Sequence, residues 1–319
     1  MMNKLVTGLH HITALASDAQ KNCDFYSGIL GLRMVKKTIN FDAPEVYHLY
    51  YGNENGTPGT IMTFFPYTGI SKGRKGKGQL TVTSFSASEE ALDYWIKRLD
   101  KFRIKYEAPQ KRFEDELYVY LEDNDGLGIE LVFNKRDARK GFTYGNIPSE
   151  YAIKGFYGIT LSVEGYEKTA RLLTAQMDHE WIAEKGNRFR YSASGKPGGY
   201  VDILCSPDAI QGLPGAGTIH HVAFATANDT TQLEAREKLL KAGFNVTPVI
   251  DREYFHSIYY REPGGILFEI ATIPPGFTVD EELAHLGESL KLPSWEERHR
   301  QIIEKKLPPI QFDLHKFID

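Results

Sequence analysis

The feature that most limits what this chain can fold into is an internal repeat. Residues 5–67, 78–135, 152–206 and 217–273 each read as a strand, a helix and three further strands. The fourth copy shows the pattern most plainly. Thr218 to Thr226 is an apolar strand, and Asp229, followed three residues later by Gln232, reads as a helix start. Leu233, Leu239 and Leu240 are expected on the buried side of that helix, with Gly243 at its end. Phe244 to Ile250, Phe255 to Tyr260 and Ile266 to Thr272 follow as strands, the last two joined by Glu262-Pro263-Gly264-Gly265.

The other copies keep that order. The first runs from Leu9 to Ala16, through a helix from Asp18 to about Leu30, to strands Arg33–Asn40, Val46–Tyr51 and Thr60–Phe65. The second has a helix with Ala91, Leu92, Trp95, Ile96, Leu99 and Phe102 on one side, and a hairpin that aligns Glu130 with Glu269. In the third, a helix near Tyr166 to Met177 precedes a last strand containing Asp202. Beyond the fourth copy, the tail 274–319 begins at Pro274-Pro275-Gly276, and a helix is expected from about Pro293 to Lys306. Covering a sheet edge, closing a pocket and making a dimer contact are all open roles for it.

Composition removes several classes of function. A net charge of −4 argues against nucleic acid as a partner, which would call for a basic patch. The one basic stretch, Lys72 to Gly78, is rich in glycine and reads as a mobile, solvated connector. No run approaches the ~18 consecutive apolar residues of a membrane span. No signal-type segment precedes the first His-His pair, and the two cysteines, Cys23 and Cys205, lack metal-site spacing and read as reduced thiols. A cytoplasmic protein without membrane partners is expected, with a homo-oligomer left open.

Chemistry enters through His-His pairs at matching places in the first and fourth copies, His10-His11 and His220-His221, and through Glu269 in the last strand of the fourth. Neighbours on a strand face opposite ways, so one member of each pair can point inward. Two imidazoles and one carboxylate on one side of a divalent ion leave its other side open. That set favours non-haem Fe(II), with Mn(II) as the alternative, over a structural zinc with four closed ligands.

A strand–helix–three-strand unit ending in a Pro/Asp-Gly hairpin resembles the vicinal oxygen chelate superfamily, which includes glyoxalase I, bleomycin-resistance proteins and extradiol dioxygenases. Four copies resemble the dioxygenase branch. His10-His11-Ile12-Thr13, Asp251-Arg252 and Ser257 to Gly265 resemble the hydroquinone ring-cleaving dioxygenases. The resemblance implies an α+β fold in which four βαβββ modules form two cup-shaped, incomplete mixed β-barrels with flanking helices. The chain is expected to divide into 1–140, with the first two modules, and 141–319, with the last two and the tail.

Within that resemblance the metal ligands lie on the first and last strands of paired modules, and alignment selects His11, His221 and Glu269. Pairing the first module with the fourth gathers all three in one cup. Pairing neighbours gives two incomplete sets, because Gly158 stands at the third module's ligand position and Asp202 aligns one residue away from Glu269, toward the other face. The resemblance also implies that Tyr259 hydrogen-bonds a metal-bound substrate oxygen and that Arg252 stabilises negative charge. His10 and His220 are candidates for acid–base catalysis or for orienting the ligands. His48, Tyr50 and Thr13 are expected to line the substrate site. The implied reaction is opening of a hydroquinone-type aromatic ring with O2. A glyoxalase-type lyase or isomerase, and a non-enzymatic resistance protein that only binds its ligand, are the alternatives.

Overall fold

The computed structural model describes residues 4–113, 116–143 and 145–318. The first module supplies β1 (Gly8–Ala16), α1 (Ala19–Cys23), β2 (Arg33–Asn40), β3 (Ala43–Gly52) and β4 (Ile61–Pro66). The second supplies β5 (Gln79–Ser88), α2 (Leu92–Lys101), β6 (Gln110–Arg112), β7 (Glu116–Glu122) and β8 (Gly128–Asn134). The third supplies β9 (Gly155–Val163), α3 (Glu167–Gln176), β10 (Glu180–Lys185), β11 (Arg188–Ser192) and β12 (Tyr200–Cys205). The fourth supplies β13 (Thr218–Thr226), α4 (Asp229–Lys241), β14 (Ile250–Asp251), β15 (Phe255–Arg261) and β16 (Leu267–Pro275), and the tail adds α5 (Arg300–Lys306).

Two open, mixed, eight-stranded sheets result. One runs β14-β15-β16-β13-β1-β4-β3-β2 and the other β10-β11-β12-β9-β5-β8-β7-β6. Each sheet therefore joins an early module to a late one, the first with the fourth and the second with the third, and each draws on both halves of the chain. The joints are antiparallel pairings of first strands, β1 with β13 and β5 with β9, whereas each module's first and last strands run parallel. All nine residues of β9 are buried, as a central strand covered on both faces requires. No helix among the described residues is long and apolar enough to cross a membrane.

Several local expectations change. The first helix starts at the Asp18 cap but is α-helical only to Cys23 and continues as a π-helix over Asp24–Ile29. Asn228, not Asp229, caps α4, in a capping box with Thr231. That rotates the buried side onto Gln232, Ala235 and Leu239, leaving Leu233 and Leu240 exposed. The strand expected over 244–250 shrinks to Ile250–Asp251. Pro248 has no N–H to give a ladder, and the segment is tied down instead by Thr247 N to Tyr259 O and by Tyr259 N to Thr247 Oγ1, both 3.0 Å. The basic connector is not a free loop, because Lys72, Arg74 and Lys77 bridge to Ala216, Leu213 and Gln211 in the matching connector between the third and fourth modules.

The tail closes the deep end of the first sheet's cup. Buried Lys36 on β2 reaches Asp280 and Glu281, each at 2.5 Å, while Phe277 and Leu286 pack with Tyr50 and Tyr254. Further on, Leu290 bridges to Lys37 and covers the β2 edge.

Candidate metal centre

The strand pairing brings the two chain ends to one place. Thr13 of β1 stands opposite His221 of β13, His11 opposite Ala223, and Ala223 beside Glu269 of β16. The Nε2 atoms of His11 and His221 lie 3.3 Å apart, and Glu269 Oε2 lies 3.3 and 3.0 Å from them. All three residues are buried, and they form the one group of three or more potential metal ligands found among the described residues.

Hydrogen bonding settles which way these nitrogens present themselves. His10 Nε2 lies 3.2 Å from the Thr272 carbonyl, which can only accept, so the His10 proton is on Nε2. His10 Nδ1 must then accept from His11 Nδ1–H at 3.0 Å, and His11 Nε2 is left with a lone pair. The fourth module repeats the device, with His220 Nδ1 at 2.7 Å from His221 Nδ1. Burial, reinforced by the neighbouring ligand imidazole, lowers the His10 pKa to about 3 and that of His220 to about 4, so both are neutral near pH 7. Burial by itself would raise the Glu269 carboxyl, but the imidazoles, His11 foremost, outweigh it and hold it well below the usual carboxylate range. Ser257, buried on β15, donates to Glu269 Oε1 at 2.5 Å and turns Oε2 inward, where it has no hydrogen-bond donor.

Two imidazole nitrogens and a carboxylate oxygen thus converge on one point, and a cation is what such a cluster is built to hold. Cis ligands at about 2.0–2.2 Å from one ion stand about 3 Å apart, as these do. The residues fit a divalent metal bound on one face. In the first module the position corresponding to Glu269 is Thr63, which offers no carboxylate.

The open side of the cluster is a cavity of about 310 Å³, at the small end for ligand pockets. His48, Tyr50, His220, Arg252 and Tyr259 all line it. Burial raises the Tyr259 pKa, so its hydroxyl stays protonated, and Arg252 Nε donates to that oxygen at 3.2 Å. Arg252 also reaches Asp42 at 3.3 Å across the cavity mouth. Tyr50, likewise protonated by burial, donates to His48 Nδ1 at 2.8 Å. His48 Nε2 then donates to Thr63 Oγ1 at 2.9 Å, and Thr63 lies 2.7 Å from Thr13 Oγ1. Two residues expected at the site stand back from the cavity wall. Thr13 is held behind it by Thr63, and His10 lies behind His11 against Phe255.

Among the described residues the second cup carries no such centre. Glu130 accepts both arms of Arg112 at 2.7 and 2.6 Å, and Asp202 accepts both Arg190 Nε and Nη2 at 2.6 and 2.8 Å. Glu116 joins the two arginines. Asp202 pairs with Thr160 as Glu269 pairs with Ala223, so it occupies the Glu269 position and faces inward. The offset expected from the sequence lies in the connecting hairpin, which is longer here: Arg190 and its partner Asp202 stand 12 positions apart, against 10 for Tyr259 and Glu269. At Gly158 a side chain would meet Tyr200 at 2.8 Å, which excludes a histidine. Neither Ser257 nor these arginines were expected. Ser257 had one signal in the sequence, its place two residues before Tyr259 on the same strand face.

Fold and site together define a class. The model of the glyoxalase/bleomycin resistance protein/dioxygenase superfamily matches residues 8–131 and 155–270, and the chain belongs to that superfamily. It is 46% identical over 310 residues to a Bacillus subtilis protein provisionally named a ring-cleaving dioxygenase, covering 97% of this chain and 98% of that one. It is 33% identical to the chlorohydroquinone/hydroquinone 1,2-dioxygenase of Sphingobium indicum, covering 90% and 91% of the two chains. The crystal structure of a B. subtilis protein provisionally titled a dioxygenase superposes with a TM-score of 0.93 at 46% identity, covering 97% of this chain and 99% of that one.

Proposed function

We propose that this chain is a ring-cleaving dioxygenase of the cytoplasm. It would use Fe(II), with Mn(II) as the alternative, at His11, His221 and Glu269 to open a hydroquinone-type ring with O2. The observation that carries this reading is the convergence of three potential ligand atoms on the floor of a small aromatic-lined cavity. The names of the similar proteins favour O2 chemistry over a lyase, and so does Thr63, which stands where a fourth ligand would be needed. The two unpaired cysteines are in keeping with a reducing compartment.

Ferrous iron held there supplies the redox chemistry by which O2 attacks an electron-rich ring. The protein's own groups do the rest. Tyr259 keeps its proton and donates it in a hydrogen bond to a phenolate oxygen at the floor. Arg252 adds a fixed positive charge where negative charge develops. His220, neutral and on the wall, exchanges a proton with the reacting ring. His10 keeps His11 in the tautomer that leaves Nε2 free. His48 and Tyr50 hold the opposite wall through the hydrogen-bonded row that ends at Thr13.

Oxygen uptake tests the proposal. Anaerobic protein is loaded with Fe(II), mixed with methylhydroquinone or catechol, and exposed to O2. Uptake with the hydroquinone is expected, abolished by His11→Ala and Glu269→Ala and retained by Glu130→Ala. Turnover of a glutathione hemithioacetal with Ni(II) or Zn(II), without oxygen uptake, would replace it with the lyase reading.

A further inference from the structure

The strand registers give the cavity a direction. Along β4 the inward residues run Thr63, Phe65 and then Tyr67, just past the strand end, each pair spanning about 7 Å. Along β2 they run Lys36, Thr38, Asn40, opposite Tyr50 and His48. Thr63 lies at the level of Thr13 and His221, and Phe65 forms the side wall between His48 and His220, at ring distances of 4.3 and 5.8 Å. Tyr67 and Asn40 therefore stand at the far end of the same cavity, beyond Phe65.

Their hydrogen bonds leave one donor aimed at a ligand. Asn40 Oδ1 accepts from Asp42 N at 3.0 Å, which turns Nδ2 toward Tyr67, where it donates to the phenolic oxygen at 3.0 Å. The Tyr67 oxygen is the acceptor in that bond, and among the described residues its own proton has no acceptor. We propose that Tyr67, oriented by Asn40, receives the hydroxyl para to the oxygen bound at the metal end. It thereby makes the cavity selective for para-diphenols over ortho-diphenols. A para-diphenol carries its second oxygen to the far end, whereas a catechol keeps both oxygens at the floor. The inference rests on the diphenol reading above and extends it to a specificity-determining pair.

Calorimetry under argon on the Fe(II)-loaded protein, with hydroquinone, phenol and catechol, reads this without turnover. One hydrogen bond from Tyr67 predicts hydroquinone binding up to about tenfold tighter than phenol in the wild type. In Tyr67→Phe that ratio falls to within about twofold of unity, with phenol affinity and iron content unchanged. The same ratio in Tyr67→Phe as in the wild type overturns the inference, and so does an equal loss of affinity for both ligands. A wild type that binds catechol more tightly than hydroquinone overturns it as well. Preferential hydroquinone binding without any oxygen uptake would remove the dioxygenase reading and leave the pair's role in place.

Discussion

Glu269 is positioned by one serine. Ser257 occupies Oε1, so Oε2 is the oxygen left to face the imidazoles. Ser257→Ala is expected to weaken metal binding by about 10–100-fold, the usual cost of losing an orienting partner, while circular dichroism stays unchanged. Competitive titration with a metal chelator measures it. A second residue contributes to how the metal-free protein responds to acid. His179, buried beside Phe224, donates Nδ1–H to the Met177 carbonyl at 2.7 Å, and its Nε2 has no partner. Burial lowers its pKa to about 4, against 6.5 for an exposed histidine. The unfolded chain therefore binds this proton first as pH falls. The stabilising effect of the neutral ring is complete above pH 6.5 and is lost on the way down to about 4, at up to about 1.4 kcal/mol per pH unit. Urea unfolding between pH 7 and 4 should show that slope reduced in His179→Gln, and an unchanged slope would contradict the assignment. At this scale the ligands were legible because they recur at matching positions of a repeat. Arg112 and Arg190 were not, because no motif marks them and the Glu116 that joins them lies 74 residues from Arg190.

At the scale of elements, the tail and β2 act together. Lys36 is fully buried, and its ammonium is neutralised by Asp280 and Glu281 from the tail. Lys36→Ala would strand the buried Glu281 carboxylate and cost about 3–5 kcal/mol, whereas Lys36→Met with Glu281→Gln should cost much less. Denaturant midpoints of the two variants separate these outcomes, and equal losses would mean that the tail is held by its apolar contacts alone. Element order was readable throughout, since apolar alternation and turn residues mark each strand. Boundaries were not. The 244–250 segment looked like a strand on composition, but Pro248 and the Thr247 side chain divert its hydrogen bonds. The cap of α4 slipped by one residue because Asn228 and Asp229 are both good caps, and that slip moved two leucines to the wrong side.

Over the whole molecule, four like modules make two unlike cups. The cup formed by the first and fourth modules keeps histidines at its ligand positions. The cup formed by the second and third has Gly158 at one of those positions and turns Glu130 and Asp202 toward arginines. One metal ion per chain is expected, and elemental analysis of Glu130→Gln should still return one. The same variant should lose up to about 3 kcal/mol of stability, because Arg112 loses one of its two charged partners in a buried site and keeps Glu116. The pairing of modules followed from counting ligands along the sequence. The ionic core of the second cup did not, because Asp202 takes the inward face through a hairpin longer than that of the fourth module, which an alignment on the glycine pair misplaces.

The central claim is that side chains from the two ends of the chain hold one iron ion. Crystals of Fe(II)-loaded protein, with an anomalous difference map collected at the iron edge, test it most directly. The expected result is a single peak bonded to His11 Nε2, His221 Nε2 and Glu269, with density for solvent or a diphenol on the side facing Tyr259. A peak beside Glu130 or Asp202, or an empty cluster in iron-loaded crystals, would contradict it.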